Sequence, residues 1–200
     1  MKVKEATLGS PLTYANPVHQ GSFADPFVLR DGGVWHAYGT GPCGPEESWG
    51  EFPTLTSEDF VNWLPGPPAL KRLPEHQGGT FWAPEVVFFD GLYFLYYSVG
   101  QGDKSHQIRC AVSGSPREPF EDQGRLTPED CPFAIDACPY QHSDGSWWLF
   151  YASDLVEGER PGTVLYVDRL VSMTQLAGEP LLVARATQDW QRYERDRTIY

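Results

Sequence analysis

Residues 83–97 read APEVVFFDGLYFLYY: a short apolar run, an Asp-Gly pair at 90–91, and a second run rich in aromatic residues. Two further stretches, residues 25–38 and 136–151, have the same order of features. Asp-Gly favours the positive φ angles of a tight hairpin turn, and β-branched and aromatic residues favour strands. Each stretch therefore predicts a β-hairpin, and the dense aromatic residues predict strands buried on both faces.

The hairpins recur with a long period. The Asp-Gly pairs begin at positions 31, 90 and 144, so they are 59 and 54 residues apart. A third strand is predicted after each hairpin, at residues 52–57, 107–113 and 163–168. This repeat length matches a four-stranded blade, so the predicted fold is all-β and the predicted architecture is a β-propeller, whose radial stacking protects strand edges. A stacked β-sandwich is the alternative, but it does not predict so long a period.

The chain is too short for a closed ring of such blades. Its 200 residues hold about three and a half blades, whereas propellers typically close with four to eight. The predicted boundaries are about 22–70, 78–128 and 131–183 for three blades, with 184–200 starting a fourth. The chain is then a truncated propeller, an unusual open form, or a homo-oligomer that completes its ring by association, because open strand edges and apolar blade faces favour association.

The composition argues against several classes of partner. With 27 acidic and 15 basic residues the net charge is −12, which repels the phosphates of a nucleic acid, and no basic cluster favours an anionic membrane. The longest apolar run, residues 92–99, is too short to span a bilayer, and residues 1–11 lack a signal-peptide pattern. These features predict no nucleic-acid or membrane partner and a cytoplasmic location.

The cysteines do not form a metal-binding motif. Cys43, Cys110, Cys131 and Cys138 show no C-x-x-C spacing, and no H-x-x-x-H pair accompanies them. A zinc site is therefore not predicted, and buried thiols are the simpler interpretation.

Short motifs in the three repeats resemble glycoside hydrolase family 43. The motifs are Asn16-Pro17-Val18 and Ala24-Asp25-Pro26-Phe27-Val28 in the first repeat, Phe81-Trp82-Ala83-Pro84-Glu85-Val86 in the second, and Ala134-Ile135-Asp136 in the third. The resemblance runs from about residue 16 onward and implies a five-bladed propeller. It also implies hydrolysis of pentose-containing glycans, as in the β-xylosidases, α-L-arabinofuranosidases and arabinanases of this family.

Two aspartates carry the chemistry that the resemblance implies. Asp25 is the implied general base, which activates a water, and Asp136 is the implied carboxylate that raises the pKa of the general acid and orients it. The first strand of each propeller blade lines the axis, so residues at matching points of these strands should converge on one pocket. The alternatives are a turn cap before Pro26 for Asp25 and a solvated loop residue for Asp136, after which Ala137 replaces the proline often found in the family.

The general acid of the family is not evident in the sequence. The family supplies it as a fourth-blade glutamate, commonly in a Glu-Gly-Pro setting, which this sequence lacks. Glu194 lies 58 residues beyond Asp136, about one blade further on, but its neighbours do not match, so the acid is expected beyond Tyr200. Glu85 belongs to the second blade, where the family has no acid, and is predicted to contact substrate or to support the fold.

Several side chains beside the predicted pocket are candidates for sugar binding. Phe81 and Trp82 are predicted to stack on a sugar ring and Glu85 to contact it. His19 and His106 could hydrogen-bond sugar hydroxyls. No cofactor is required by this chemistry. Some family members hold a calcium ion near the axis, but this sequence has no oxygen-ligand motif that demands one.

The predicted function is an inverting glycosidase for arabinofuranosides or xylosides, with an oligosaccharide or glycoside as substrate. The alternative is a non-catalytic carbohydrate-binding fragment or pseudoenzyme that lacks the general acid. A structural or protein-binding propeller is a third hypothesis, in which the two aspartates are incidental.

Overall fold

The strands form three successive antiparallel sheets in the computed structural model, which describes residues 14–44, 49–155 and 160–191. The first sheet pairs, in spatial order, β1 (Ala24–Asp31), β2 (Val34–Thr40), β4 (Thr54–Ser57) and β5 (Leu64–Gly66). The second pairs β7 (Thr80–Phe89), β8 (Leu92–Gln101), β9 (Lys104–Ser113) and β10 (Glu121–Arg125). The third pairs β11 (Ala134–Gln141), β12 (Trp147–Leu155), β13 (Gly162–Ser172) and β14 (Gln175–Leu176), and β15 (Leu181–Arg185) also pairs with β13.

Smaller elements connect the sheets. A two-stranded ribbon of β3 (Gly50–Glu51) and β6 (Leu70–Lys71) accompanies the first sheet, and 3₁₀ turns occupy Glu75–Gln77 and Asp189–Gln191. The all-β prediction is confirmed. The third sheet extends to Arg185, slightly past the point where a fourth blade was predicted to start.

The three predicted hairpins are present, with different turns. Asp90 and Gly91 form the two-residue turn of the second hairpin, with φ angles of 50° and 81°. In the first hairpin the turn residues are Gly32 and Gly33, also at positive φ, and Asp31 is instead the last residue of β1. The third hairpin has a longer loop that includes Gly145. The positive φ angles explain why glycine and aspartate occupy these turns.

Two clusters of buried side chains hold the sheets together. The first lies between the first and second sheets, and its fully or nearly fully buried members include Tyr38, Phe52, Leu70, Leu95 and Tyr97. The second lies between the second and third sheets and includes Tyr96, Ile108, Leu149, Tyr151 and Leu176. Adjacent sheets thus stack face to face as the blades of an incomplete propeller.

Strand β8 contributes to both clusters. Leu95, Tyr97 and Val99 face the first cluster, whereas Phe94 and Tyr96 face the second. This division follows from the two-residue period of side chains along a strand. The prediction that the aromatic strands are buried on both faces is therefore confirmed for β8, whose residues from Tyr93 to Gly100 are all buried.

Candidate active site

Each inner strand carries a β-bulge at the same point. The pairing register shifts between Ala24 and Phe27 in β1, between Trp82 and Glu85 in β7, and between Ile135 and Cys138 in β11. In each bulge the first unpaired residue has a positive φ, and these residues are Asp25 at 46°, Ala83 at 46° and Asp136 at 59°. The two predicted catalytic aspartates therefore occupy equivalent positions of the first and third blades, and Ala83 occupies that position in the second.

Side-chain hydroxyls fix the bulges of neighbouring blades relative to one another. The backbone N–H of Ala83 donates a 2.8 Å hydrogen bond to Thr40 Oγ1 at the end of β2. The backbone N–H of Asp136 donates a 3.2 Å hydrogen bond to Ser98 Oγ in β8. Thr40 and Ser98 are themselves equivalent, since they pair with the residue before the bulge in their own blade. The strained segment of each later blade is thus held by the blade before it.

These bulges surround a cavity of about 310 Å³, which we call the axial cavity. Its lining comes from all three inner strands and consists of Asp25, Pro26, Phe27, Ala83, Pro84, Glu85 and Asp136. The structure therefore brings together the two predicted catalytic aspartates and the predicted substrate-contacting glutamate. No lysine, arginine or histidine is among the described residues that line it.

The carboxyl groups of the axial cavity influence one another. Burial, and then the nearby charge of Asp25, raise the pKa of Asp136 above its usual value. Burial also raises the pKa of Glu85; a hydrogen bond with Cys138 opposes this effect, and the charge of Asp136 adds to it. Desolvation and like charges both disfavour ionised carboxylates. The ionised forms of Asp136 and Glu85 are therefore less favourable in this cavity than they would be in water.

The influence of Cys138 on the pKa of Glu85 was not predicted. Cys138 of β11 pairs with Phe150, and Glu85 of β7 pairs with Tyr96. Each is the first paired residue after the bulge of its own strand. Aligning the repeats on Asp136 and Ala83 would have revealed this equivalence, since Cys138 and Glu85 each follow them by two positions. The interpretation of the cysteines as buried thiols is also wrong for Cys138, which is exposed.

The Trp82 ring packs against a histidine. Its ring lies 3.7 Å from that of His106, centroid to centroid, at an interplanar angle of 18°. His106 is itself buried, and its Nε2 lies 2.9 Å from the carbonyl oxygen of Gly102. The hypothesis that His106 hydrogen-bonds sugar hydroxyls is therefore wrong, because the imidazole is enclosed between protein groups. Trp82 is half-buried, and one face of its ring is occupied by His106.

Phe81 belongs to the core. Only 8% of the residue is exposed, and its ring packs against Phe52 at 6.0 Å and Tyr97 at 6.2 Å between centroids. The prediction that Phe81 stacks on a sugar is corrected accordingly, because its ring is already covered by the first cluster.

The remaining predicted groups are not found in the described part of the chain. Glu194, the weak candidate for the general acid, lies outside the described residues. Within residues 14–44, 49–155 and 160–191, no group of three or more His, Cys, Asp or Glu side chains could hold a metal ion. Among the same residues, no helix is long and apolar enough to cross a membrane.

Comparisons with known proteins agree with the predicted family and with the fold. The sequence model described as glycosyl hydrolases family 43 matches residues 14–195. The chain is 29% identical over 146 residues to the extracellular exo-α-(1→5)-L-arabinofuranosidase ArbA of Cellvibrio japonicus, covering 64% of this chain and 40% of that protein. It is 30% identical over 141 residues to the extracellular endo-α-(1→5)-L-arabinanase 1 of Bacillus subtilis, covering 64% and 42%.

A solved structure extends the similarity to three dimensions. The crystal structure of a thermostable family-43 glycoside hydrolase matches with a TM-score of 0.73 at 30% identity. The match covers 89% of this chain and 58% of that one. The chain thus spans about two fifths of the length of the two curated relatives and somewhat more than half of this structure.

The relatives also correct the expected location. Three of the similar curated proteins are named as extracellular enzymes, which contradicts the prediction of a cytoplasmic location.

The sequence match covers all three blades and includes the bulges that form the axial cavity. The solved structure matches the same arrangement of stacked sheets. The chain therefore belongs to glycosyl hydrolases family 43 and forms an incomplete propeller of that family's five-bladed type.

Proposed function

We propose that this chain binds pentose-containing glycans in the axial cavity and supplies the general base of an inverting glycosidase. The observation that carries the proposal is that Asp25 and Asp136, more than a hundred positions apart, line one cavity from equivalent bulges. The names of the relatives, an arabinofuranosidase and an arabinanase, favour α-linked L-arabinofuranose as the first sugar to test, with xylosides second.

In the proposed reaction Asp25 accepts a proton from a water molecule as that water attacks the anomeric carbon. Inversion requires the base and the acid to be about 6.5–9.5 Å apart, so that the water fits between base and sugar. Asp136 remains close to the reacting centre, and its negative charge favours the protonated form of the acid. Asp25 lines the cavity and is exposed, so solvent water has access to it.

The general acid of this reaction is expected outside the described residues. This point favours carbohydrate binding without turnover as a second candidate function for the 200-residue chain. General acid catalysis typically contributes about 10²- to 10⁴-fold to rate. Aryl glycosides, whose leaving groups need little protonation, should lose least when the acid is missing.

Hydrolysis and binding measured side by side test the proposal. We expect the chain to bind arabino-oligosaccharides in calorimetry and to release product slowly from an aryl α-L-arabinofuranoside, with inversion detected by NMR. Asp25→Asn should abolish the release. Asp130→Asn, which alters an exposed loop aspartate away from the cavity, is the matched control and should change neither measurement.

The possible results separate the candidate functions. Binding without release supports the carbohydrate-binding alternative. Release that persists in Asp25→Asn contradicts the assigned base, and the absence of both binding and release, for arabinosides and xylosides alike, contradicts the proposed function.

A further inference from the structure

Ser98 belongs to the second blade, but its side chain bonds to the backbone of Asp136 in the third. It lies in β8, where it is fully buried and pairs with Trp82 on one side and with Ile108 on the other. Its Oγ accepts a 3.2 Å hydrogen bond from the Asp136 N–H. Because β8 is covered on both faces and paired along both edges, the Ser98 hydroxyl is a fixed point for the third blade.

This hydrogen bond acts on the bulge of β11. The pairing of β11 with β12 is interrupted between Ile135 and Cys138, and Asp136 adopts a φ of 59° within the interruption. Few residues other than glycine adopt such a φ, and they keep it where the surrounding structure holds them. The Ser98 hydroxyl supplies this support from the neighbouring blade.

The bulge also decides the direction of the Asp136 side chain. In the bulged backbone Asp136 lines the axial cavity together with Asp25 and Glu85. Successive side chains of a strand point to opposite faces, so a shift of one residue in register reverses the faces of the side chains that follow. Support of the bulge is therefore support for the position of a carboxyl group in the cavity.

The first blade supports the second in the same way, without a carboxyl group at the supported position. Thr40 Oγ1 accepts a 2.8 Å hydrogen bond from the N–H of Ala83, the equivalent bulge residue. The comparison shows that a hydroxyl at this position is part of the blade architecture and that threonine is compatible with it. At Ser98 the same device acts on a residue of the candidate active site.

We propose that Ser98 is a positioning residue, whose hydroxyl holds the bulge of β11 so that the Asp136 carboxyl lies beside Asp25 in the axial cavity. Its effect on hydrolysis rests on the proposed function of that cavity. Its effect on the position of Asp136 does not, and can be measured without a glycan.

Titration of Asp136 provides the first test. The charged groups that share the cavity with it are the carboxyls of Asp25 and Glu85, and burial and the charge of Asp25 raise the pKa of Asp136. In Ser98→Ala the bulge N–H loses its acceptor, so the carboxyl should become more solvated and lie farther from Asp25. We expect the pKa of Asp136 to fall toward the ordinary value of an aspartate. The carboxyl ¹³C shift, assigned by its loss in Asp136→Asn, measures it.

Ser113 provides a matched control for this titration. It is a buried serine of the second blade, and its Oγ accepts a 3.2 Å hydrogen bond from the N–H of Ser115, which does not line the axial cavity. Ser113→Ala therefore removes a hydrogen bond of the same kind and length. It should leave the pKa of Asp136 unchanged.

A second pair of variants separates the hydroxyl from the packing around it. Threonine and valine have nearly the same shape, but only threonine carries a hydroxyl. Ser98→Thr should keep the pKa of Asp136 raised, whereas Ser98→Val should lower it as Ser98→Ala does. Because both substitutions add a similar volume, a difference between them reports the hydrogen bond.

Hydrolysis of an aryl α-L-arabinofuranoside tests the consequence for the reaction. We expect Ser98→Ala to lower kcat about tenfold, at the upper end of the effect of one hydrogen bond. KM should stay within about twofold of the wild type, because Asp136 acts on the reacting groups and not on uniform binding of the substrate. Ser98→Thr should restore most of the rate.

The tests distinguish the inference from the function on which it rests. A pKa of Asp136 that is unchanged in both Ser98→Ala and Ser98→Val overturns the positioning role, even in an active chain, as does an equal fall in Ser113→Ala. A wild-type chain that neither binds nor hydrolyses arabinosides or xylosides overturns the proposed function. A lowered pKa in Ser98→Ala would still support the role of Ser98 in placing Asp136.

Discussion

Asp136 combines an uncommon backbone conformation with an unfavourable charge. Its φ of 59° lies in the left-handed region, which aspartate tolerates better than most residues because its short polar side chain bonds locally. Asp25 has the same conformation, whereas Ala83 adopts it without a polar side chain. Strained residues of this kind persist where the surrounding structure holds them, and they are frequent at functional sites.

Neutralising Asp136 should stabilise the protein while impairing its function. The pKa of Asp136 is raised by burial and by Asp25, so its ionised form at neutral pH opposes folding. We expect Asp136→Asn to increase the free energy of unfolding at pH 7 by roughly 0.3–1 kcal/mol, a small value because Asp136 is only partly buried and solvent screens its charge. Asparagine also suits the left-handed conformation. Urea denaturation measures the change.

The pH dependence of this effect has a definite sign. A carboxyl whose native pKa is raised favours folding in its protonated form, so its contribution is complete below about pH 4 and is lost as pH rises through the native pKa. The stability gained by Asp136→Asn should therefore vanish at pH 3. Asp130→Asn is the matched control, and an equal gain in that variant would contradict the assignment to the cavity.

At the scale of elements, the bulges determine which side chains face the core. Phe81 and Val86 of β7 are five positions apart, an odd number that would place them on opposite faces of a regular strand. Both nevertheless belong to the first cluster, because the bulge between Trp82 and Glu85 inserts a residue and reverses the alternation. The same bulge lets Glu85 line the cavity while Phe81 and Val86 both face the first cluster.

An ion pair ties strands β9 and β10 together. The Arg109 guanidinium donates to the Asp122 carboxylate at 2.9 Å from Nε and 2.5 Å from Nη2, and the Tyr97 hydroxyl donates to the same carboxylate at 2.6 Å. The side chains of Arg109 and Asp122 are only 9% and 16% exposed. Burial alone would raise the pKa of Asp122, but these hydrogen bonds outweigh it and hold the pKa below its usual value.

Breaking the ion pair between Arg109 and Asp122 should destabilise the protein. We expect Asp122→Asn to lower the free energy of unfolding at pH 7 by about 3 kcal/mol, since it leaves the buried guanidinium without its charge partner. A carboxyl with a lowered native pKa contributes stability above its unfolded pKa of about 4, and this contribution is lost as pH falls through the native value. Urea denaturation at pH 7 and pH 3 should show the difference between variant and wild type shrinking at the lower pH.

Glu121, the neighbour of Asp122 in the sequence, provides the control for the Asp122→Asn prediction. Glu121 forms a 2.9 Å ion pair with Lys71, but both side chains are more than half exposed. Glu121→Gln should therefore change the free energy of unfolding far less than Asp122→Asn does, because solvent screens the exposed pair. Equal losses in Glu121→Gln and Asp122→Asn would show that burial of the pair is not what makes it stabilising.

At the scale of the molecule, the face of the third blade that points away from the second differs from the corresponding faces of the first two blades. The Tyr38 and Tyr96 hydroxyls donate to backbone carbonyls of the following blade, at 2.8 and 2.7 Å, but the equivalent residue of the third blade is Phe150. Thr40 and Ser98, which accept the bulge N–H groups of the following blade, are likewise replaced by Ala152. The outer face of the third blade is therefore apolar where the earlier blades carry polar contacts.

The rates of native-state hydrogen exchange should follow the burial of the strands. We expect the amides of β8, which is covered on both faces, to exchange most slowly, and those of β15, whose five side chains are all exposed, to exchange among the fastest. Mass spectrometry of peptides from the 200-residue chain gives both rates. Equal protection of β8 and β15 at low protein concentration would contradict the expected order.

Association between copies stays a prediction. An apolar outer face and the exposed Leu181, Leu182 and Val183 of β15 favour it. Protection of β15 that rises with protein concentration, together with a rising mass in light scattering, would support a homo-oligomer. A constant mass across the range would contradict it.

Much of this protein could be predicted from its sequence because the deciding signals are local. Turn residues and strand-forming apolar and aromatic residues occur together in short stretches of sequence, so the three hairpins and the all-β fold were predicted correctly. Asp25, Glu85 and Asp136 were placed at one site because repeats bring equivalent positions to one axis. The turn of the first hairpin was misplaced by a residue because Gly32 and Gly33 can form it without Asp31.

The sequence by itself determined the blades and the carboxyl groups that meet at their axis, since both follow from periodic patterns. Only the tertiary structure decided that Phe81 is buried and that His106 is covered by Trp82. These outcomes depend on bulges and on the stacking of one sheet against the next. Such contacts join residues from separate strands, and no short stretch of sequence encodes the distance between them.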